Sequence, residues 1–371
     1  MNAINQIPFL QLIKREWLLP VSYATTATFL CYQGSWLSSD PGPGLGLFLF
    51  SWLFVVMLLS SFAVVRLADH LAEQLHEPMG TLILTLAVTS IEVMMISALM
   101  LSGNNPALAR DTMFSVVMVV LGGLLGTVLL TGGIRFREQN FNLKGVNSFI
   151  GLIVPLAVIS LILPNFTRTG NYGMFSQLHA ISLIILSLVI YGVFLAVQSW
   201  RHREFFNEEG WSPSDIVKTS PKESISLQSF LLILHLIPVV LLSKQLAHVL
   251  DYRVHGSGLP QELVGLVVAI LILAPEGLAA IQAASRNQMQ RSVNVLLGSV
   301  LATISLTMPA ALAISLICGK PLQLGLSPAY MILLAVTLCS CMVTFAQGKT
   351  NILQGFVHLL LFAAYIVLMF D

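Results

Sequence analysis

Eleven apolar stretches follow one another along this 371-residue chain, at roughly 17–33, 45–65, 80–102, 112–133, 147–164, 177–199, 227–249, 261–284, 293–317, 328–347 and 351–370. Most approach the ~20 residues that a helix needs to cross the hydrocarbon layer of a bilayer. Lipid offers no partner to backbone N–H and C=O groups, so such segments fold as helices that satisfy those groups internally. With 56% hydrophobic and 9% charged residues, against about 25% charged in soluble domains, the chain cannot hide its apolar surface in a soluble core. The expected class is an all-α polytopic protein of the lipid bilayer. The net charge of +1 gives no reason to expect nucleic acid as a partner. Lys14 and Arg15 precede the first stretch as in a signal peptide, but no clear small-residue cleavage site follows, so it reads as a retained helix. Cys31, Cys318, Cys339 and Cys341 form no CxxC pair and read as small apolar residues of membrane helices.

The longest polar interruption contains Glu208, Glu209, Gly210, Pro213 and Pro221. It is too short for a domain and reads as a linker between two halves. The expected organisation is an N-terminal helix (1–40), a first five-helix unit (41–200), a cytoplasmic linker (201–225) and a second five-helix unit (226–371). With the N-terminus placed in the cytoplasm and the sides alternated, thirteen Lys and Arg fall on inner segments. Four fall on outer ones (Arg110, Arg168, Arg253 and Lys320), and Lys244 lies within a stretch. That bias favours this orientation, with the C-terminus outside. Shifting the numbering by 184 carries stretches seven to eleven onto two to six within a few residues. Five crossings per unit is odd, so the second unit enters from the opposite face. This is the inverted repeat of secondary transporters, which place their site at the repeat interface near the midplane.

Glu92 and Glu276 sit near the middle of the third and eighth stretches, 184 residues apart. A charge at that depth costs roughly 2.5–3.5 kcal/mol or more, so an acid there marks a functional site. Thr81, Thr85, Thr89 and Glu92 fall on one helical stripe, and hydroxyl oxygens suit a carboxylic acid or a hard cation; membrane threonines also bond their own backbone. In Ala274-Pro275-Glu276-Gly277, Pro275 removes a backbone donor and is expected to break the helix, freeing a carbonyl near Leu271. Ser115, Ser299 and Thr303 lie in the neighbouring stretches and are secondary candidates for a cation or proton pathway. Gly122 and Gly126 read as helix packing. Asn287 and Asn294 suit caps or an inner entrance. His235 and His358 suit hydrogen-bonded packing, and residues 66–77, with Asp69, Glu73 and Glu77, suit a solvated acidic helix face.

Together these features resemble the cation/calcium exchanger superfamily, in particular the bacterial cation/proton antiporters of the ChaA type. The resemblance rests on Glu77-Pro78-Met79-Gly80 leading to Glu92, on Ala274-Pro275-Glu276-Gly277, and on Gly298-Ser299-Val300-Leu301-Ala302-Thr303-Ile304-Ser305-Leu306-Thr307. It implies two inverted five-helix repeats after an extra N-terminal helix, eleven crossings in all, and residence in the bacterial inner membrane. The Gly-Asn-Ala-x-Glu pattern of calcium/proton exchangers is absent, since Val88-Thr89-Ser90-Ile91 and Ile272-Leu273-Ala274-Pro275 precede the two glutamates. The resemblance therefore implies sodium and potassium as cargo alongside calcium.

The expected function is secondary antiport of Ca2+ and/or Na+/K+ against protons by alternating access, with no cofactor. Glu92 and Glu276 are the expected shared cation and proton sites. A buried carboxylate pair is cheaply occluded only when protons or a cation neutralise it, and that coupling ties the two fluxes together. A passive cation channel is the alternative, and it would need no matched pair of acids. A membrane enzyme would need a reactive constellation near one surface, and none is found. Oligomeric state is not encoded in any feature of the chain.

Overall fold

The structure, a computed structural model, describes residues 16–36, 42–75, 79–102, 105–168, 172–206, 224–257 and 260–371. Most of the expected linker, residues 207–223, and residues 76–77 of the acidic segment lie outside the described residues, as does the side chain of Thr81. The described residues are helical nearly throughout. In order come α1 (Leu18–Trp36), α2 (Gly42–Gln74), α3 (Met79–Ser102), α4 (Leu108–Met118) and α5 (Leu125–Phe136), then α6 (Leu143–Ala157) and α7 (Gln177–Ala196). After the linker come α8 (Ile225–Ser257), α9 (Glu262–Ser285), α10 (Met289–Ala302), α11 (Met308–Cys318), α12 (Pro328–Thr344) and α13 (Ile352–Met369). Among the described residues, eight helical stretches are long and apolar enough to cross a membrane, including Leu108–Phe136 and Met289–Cys318, which join α4 to α5 and α10 to α11. Thr85–Leu101 and Pro328–Thr344 are shorter apolar helices.

The outer surfaces confirm the solvent. Leu178, Ile185, Leu186, Val189 and Val193 on α7 and Leu353, Leu360 and Val367 on α13 are all exposed, an apolar coat that water would not tolerate at this extent.

Two departures from regular helix matter most. Val119–Leu124 between α4 and α5, and Thr303–Thr307 between α10 and α11, are π-helical turns. Val119 and Thr303, where they begin, are 184 residues apart, the spacing of the two glutamates. A π turn misaligns the carbonyl ladder, and such turns collect at functional sites. The carbonyl of Leu121 is met by His358 Nδ1 of α13 at 2.6 Å, and His358 Nε2 lies 2.9 Å from the Thr344 hydroxyl. A carbonyl only accepts, so Nδ1 carries the proton and a neutral ring takes the Thr344 proton at Nε2. His358 is thus a fixed bracket for the first π turn. The break expected at Pro275 is not there. α9 runs unbroken from Glu262 to Ser285, and Gly277 serves packing, since a Cβ there would lie 2.7 Å from a Leu124 methyl.

The apolar interior forms two clusters that share walls. One joins α2, α3, α8 and α9 through Leu53, Met57, Leu67, Leu242 and Leu246; the other fills the bundle of α4–α7 and α10–α13 around Val117, Phe149, Leu297 and Ile304. Helix α3 gives Ile91 and Met95 to the first and Ile96 and Met100 to the second, and α9 gives Val268 and Ile272 to the first and Ala269 and Leu273 to the second. Both glutamate helices therefore stand on the seam. The first cluster is also tied to the N-terminal segment. Buried Glu16 accepts from Arg66 on α2 at 2.8 Å and pairs with fully buried His235 on α8 at 3.1 Å.

The two ends of the bundle are stitched differently. At one end a two-residue ladder pairs Gln139 with Thr350 and Asn140 with Lys349. At the other, the segment after α11 is bonded to the residues before α4 and after α6, with Gln323 N–H donating to Pro106 C=O and Leu326 N–H to Leu161 C=O. Helices α5 and α13 meet backbone to backbone: a Cβ on Gly126 would lie 2.9 Å from the Leu359 nitrogen, and one on Gly355 2.9 Å from the Leu130 nitrogen. Gly126→Leu should therefore overpack this contact and cost about 1–3 kcal/mol or more, read as a lowered melting temperature in detergent; Gly151→Leu, where nothing lies within 4 Å, should not.

Candidate functional site

Glu92 projects from the middle of α3 into the seam and is 4% exposed. Its Oε2 accepts from Thr307 Oγ1 at 2.8 Å and from Thr303 Oγ1 at 3.1 Å. Thr303 Oγ1 is also 3.1 Å from the Ser299 carbonyl, and a hydroxyl has one hydrogen to give. Thr307 thus holds the carboxylate firmly, while Thr303 divides its proton between two acceptors. Oε1 of Glu92 is buried with no hydrogen-bond partner.

Glu276 projects from α9. It is partly buried, its Oε2 is buried with no partner, and the Ser299 hydroxyl faces the carboxylate. Its charge is felt at Glu92, and Asp69 near the far end of α2 acts in turn on Glu276. Each carboxylate therefore carries one buried oxygen with no donor. Buried polar atoms are seldom left so, and each exception calls for an explanation.

Both acids meet the same helix. Ser299, Thr303 and Thr307 are four residues apart and form one hydroxyl ladder along α10 and its π turn; Ser299 faces Glu276, and the two threonines hold Glu92. The counterparts 184 residues earlier are Ser115, Val119 and Gly123, so the first half offers one hydroxyl where the second offers three. Ser115 is itself engaged elsewhere. It donates to the Asp111 carbonyl at 2.7 Å and lies 2.6 Å from the Tyr365 hydroxyl of α13. Thr89 is buried one turn before Glu92, and Thr85, a further turn back, meets the Tyr191 hydroxyl of α7. Pro275 is buried within continuous helix. Among the described residues no three carboxylate, imidazole or thiol groups converge, so a cation here would be completed by hydroxyl, carbonyl and water oxygens.

The structure thus gathers Glu92, Glu276, Ser299 and Thr303 at one place, and sets Thr85 and Ser115 apart with tyrosine partners. Thr307 was missed by sequence reasoning, although its place four residues beyond Thr303 was the available signal. Tyr191 and Tyr365 carried no local signal. Asn287 and Asn294 join a polar cluster at the ladder end: Asn287 accepts from Gln139, and Asn294 donates to the Phe206 carbonyl. Thr307→Val keeps the side-chain shape but leaves Glu92 with only a shared donor. It should cost about 1–3 kcal/mol, measured by thermal melting of the detergent-solubilised chain, and Thr303→Val should cost less.

Residues 45–200 and 227–370 match the family of sodium/calcium exchanger proteins. The chain is 41% identical over 326 residues to the putative ionic transporter y4hA of Sinorhizobium fredii (strain NBRC 101917 / NGR234), covering 85% of this chain and 88% of that one. It is 41% identical over 319 residues to the sodium-potassium/proton antiporter ChaA of Escherichia coli (strain K12), covering 85% and 86%. The fold is similar to that of native YfkE, with a TM-score of 0.72 at 18% identity over 94% of this chain and 99% of that one. It is also similar to the H+/Ca2+ exchanger CAX, with a TM-score of 0.65 at 16% identity over 95% and 88%. The chain belongs to the sodium/calcium exchanger protein family, a family of transporters and not of enzymes.

Proposed function

We propose that this chain exchanges Na+ and K+, with Ca2+ as a further cargo, for protons by alternating access, and that Glu92 and Glu276 are the sites for which cation and proton compete. One observation carries the reading: two carboxylates in the seam between the apolar clusters each keep a buried oxygen without a donor, and one hydroxyl ladder lies against both. A proton on the free oxygen, or a cation beside it, removes the cost of an unpaired buried charge. A site empty of both would carry two like charges away from water, which disfavours its occlusion and couples the fluxes.

Hydroxyls and two carboxylates give few strong oxygen ligands, whereas Ca2+ takes six to eight. That sparse set favours the monovalent ions named for the relative of Escherichia coli. The proposed architecture is eleven crossings, with an N-terminal helix and two inverted five-helix repeats. The N-terminus lies in the cytoplasm and the C-terminus outside, in a bacterial inner membrane. The repeat is supported by the common offset of the glutamates and the π turns.

In sealed liposomes with an imposed pH gradient, sodium, potassium and calcium added in turn should evoke proton movement in the wild type. Glu92→Gln and Glu276→Gln should each reduce it to the level of empty liposomes. Full activity in both variants would sink the shared-site mechanism. Cation flux that ignores the pH gradient would favour a channel.

A further inference from the structure

Three tyrosines are buried among the described residues, Tyr191, Tyr330 and Tyr365, and the placement of Tyr191 and Tyr365 is related. Tyr191 lies fourteen residues beyond Gln177, the first residue of α7, and Tyr365 lies thirteen beyond Ile352, the first of α13. Each closes the last helix of its own half. Both are buried, the Tyr365 hydroxyl lies 2.6 Å from that of Ser115 on α4, and the Tyr191 hydroxyl faces Thr85 on α3.

The two contacts lie on opposite sides of the carboxylates. Ser102 ends α3 and Leu108 begins α4 at a common end of the bundle. At 1.5 Å per residue Glu92 is about 15 Å from that end, Ser115 about 10 Å and Thr85 about 25 Å. The chain path agrees: α7 starts near the α3–α4 end and α13 at the ladder end, so their C-terminal tyrosines point to opposite faces. One tyrosine contact thus stands between Glu92 and each face.

The chemistry of the contacts suits opening. Ser115 spends its only hydrogen on the Asp111 carbonyl, so Tyr365 must donate in the 2.6 Å contact with it. Ser115 is thereby kept from acting at the site as its counterpart Ser299 does. A neutral hydroxyl–hydroxyl bond is only modestly better in free energy than the bonds that both groups make with water, so water entering from that face can replace it. The surrounding rings of Phe114, Tyr330 and Phe362 hold Tyr365 in place without adding a charged partner at its hydroxyl.

From these placements we infer that Tyr365–Ser115 and Tyr191–Thr85 are paired latches, each closing the path from one face to the glutamates. The tyrosines are positioning residues: they set how often the site faces each side and do not bind cargo. This inference rests on the antiport reading above.

The test uses the full chain in right-side-out and everted membrane vesicles, with cation-evoked proton movement followed at each face for the ion that the wild type carries. Loss of one latch should shift the resting population toward the face that it guards. Tyr365→Phe should lower the half-saturating cation concentration at one face and raise it at the other, by about 3–10-fold from the worth of one hydrogen bond. Tyr191→Phe should do the reverse. Ser115→Ala should reproduce Tyr365→Phe, and the double variant should go no further, since both break the same bond. Tyrosine variants that shift both faces equally, or neither, would overturn the latches while leaving exchange by the wild type intact. A wild type without exchange would instead remove the antiport reading beneath them.

Discussion

The cost of a carboxylate without water governs this molecule. Glu92 is nearly inaccessible in the middle of an apolar helix, and what makes its position tenable is the pair of threonine hydroxyls that reach it from the other half of the chain. Those donors satisfy Oε2 and leave Oε1 open. A fully satisfied carboxylate would be an inert strut, and an unsatisfied one would expel itself or stay neutral. Half satisfaction leaves the acid responsive to whatever neutralises it.

The irregularities of the fold follow from that need. Thr303–Thr307 is wound as a π turn between α10 and α11, so the helix that carries the ladder departs from regular geometry beside Glu92. Its counterpart at Val119–Leu124 is held open by His358 on a backbone carbonyl, and glycines at 122, 126 and 355 let α4–α5 and α13 approach closely enough for that bond. Because α3 and α9 contribute to both apolar clusters, the glutamates lie where two separately packed bodies meet. Packed interiors resist gradual deformation, and a seam between them is where a membrane protein can slide with little loss of contact.

The segments that share the 184-residue offset differ in chemistry. The ladder Ser299, Thr303, Thr307 answers to Ser115, Val119, Gly123, and the single hydroxyl of the first half is taken up by Tyr365. Two chemically equal halves would leave nothing to distinguish one carboxylate's surroundings from the other's. Here one acid is firmly gripped and the other, facing Ser299, is more open.

Much of this was legible in the chain. Apolar runs of membrane length dictate helices because lipid offers the backbone no other partner, and the acids announce themselves because a charge in such a run is costly. The 184-residue offset was visible in the glutamates before it reappeared in the π turns. The reading failed where a local rule was asked to stand for packing. Pro275 and Gly277 read as a break, yet α9 continues through them and Gly277 admits Leu124. Ser115 read as a pathway residue, and the partner its hydroxyl meets, Tyr365, 250 residues away, was not legible from its own segment. The sequence by itself determined the solvent, the helices, the 184-residue offset and the positions of the two acids, since each follows from local hydrophobicity and from periodicity. Only the tertiary structure decided that one helix serves both acids, that Thr307 grips Glu92 and that tyrosines flank the site. Those facts depend on which side chains from distant segments share a small volume, and no local pattern encodes that.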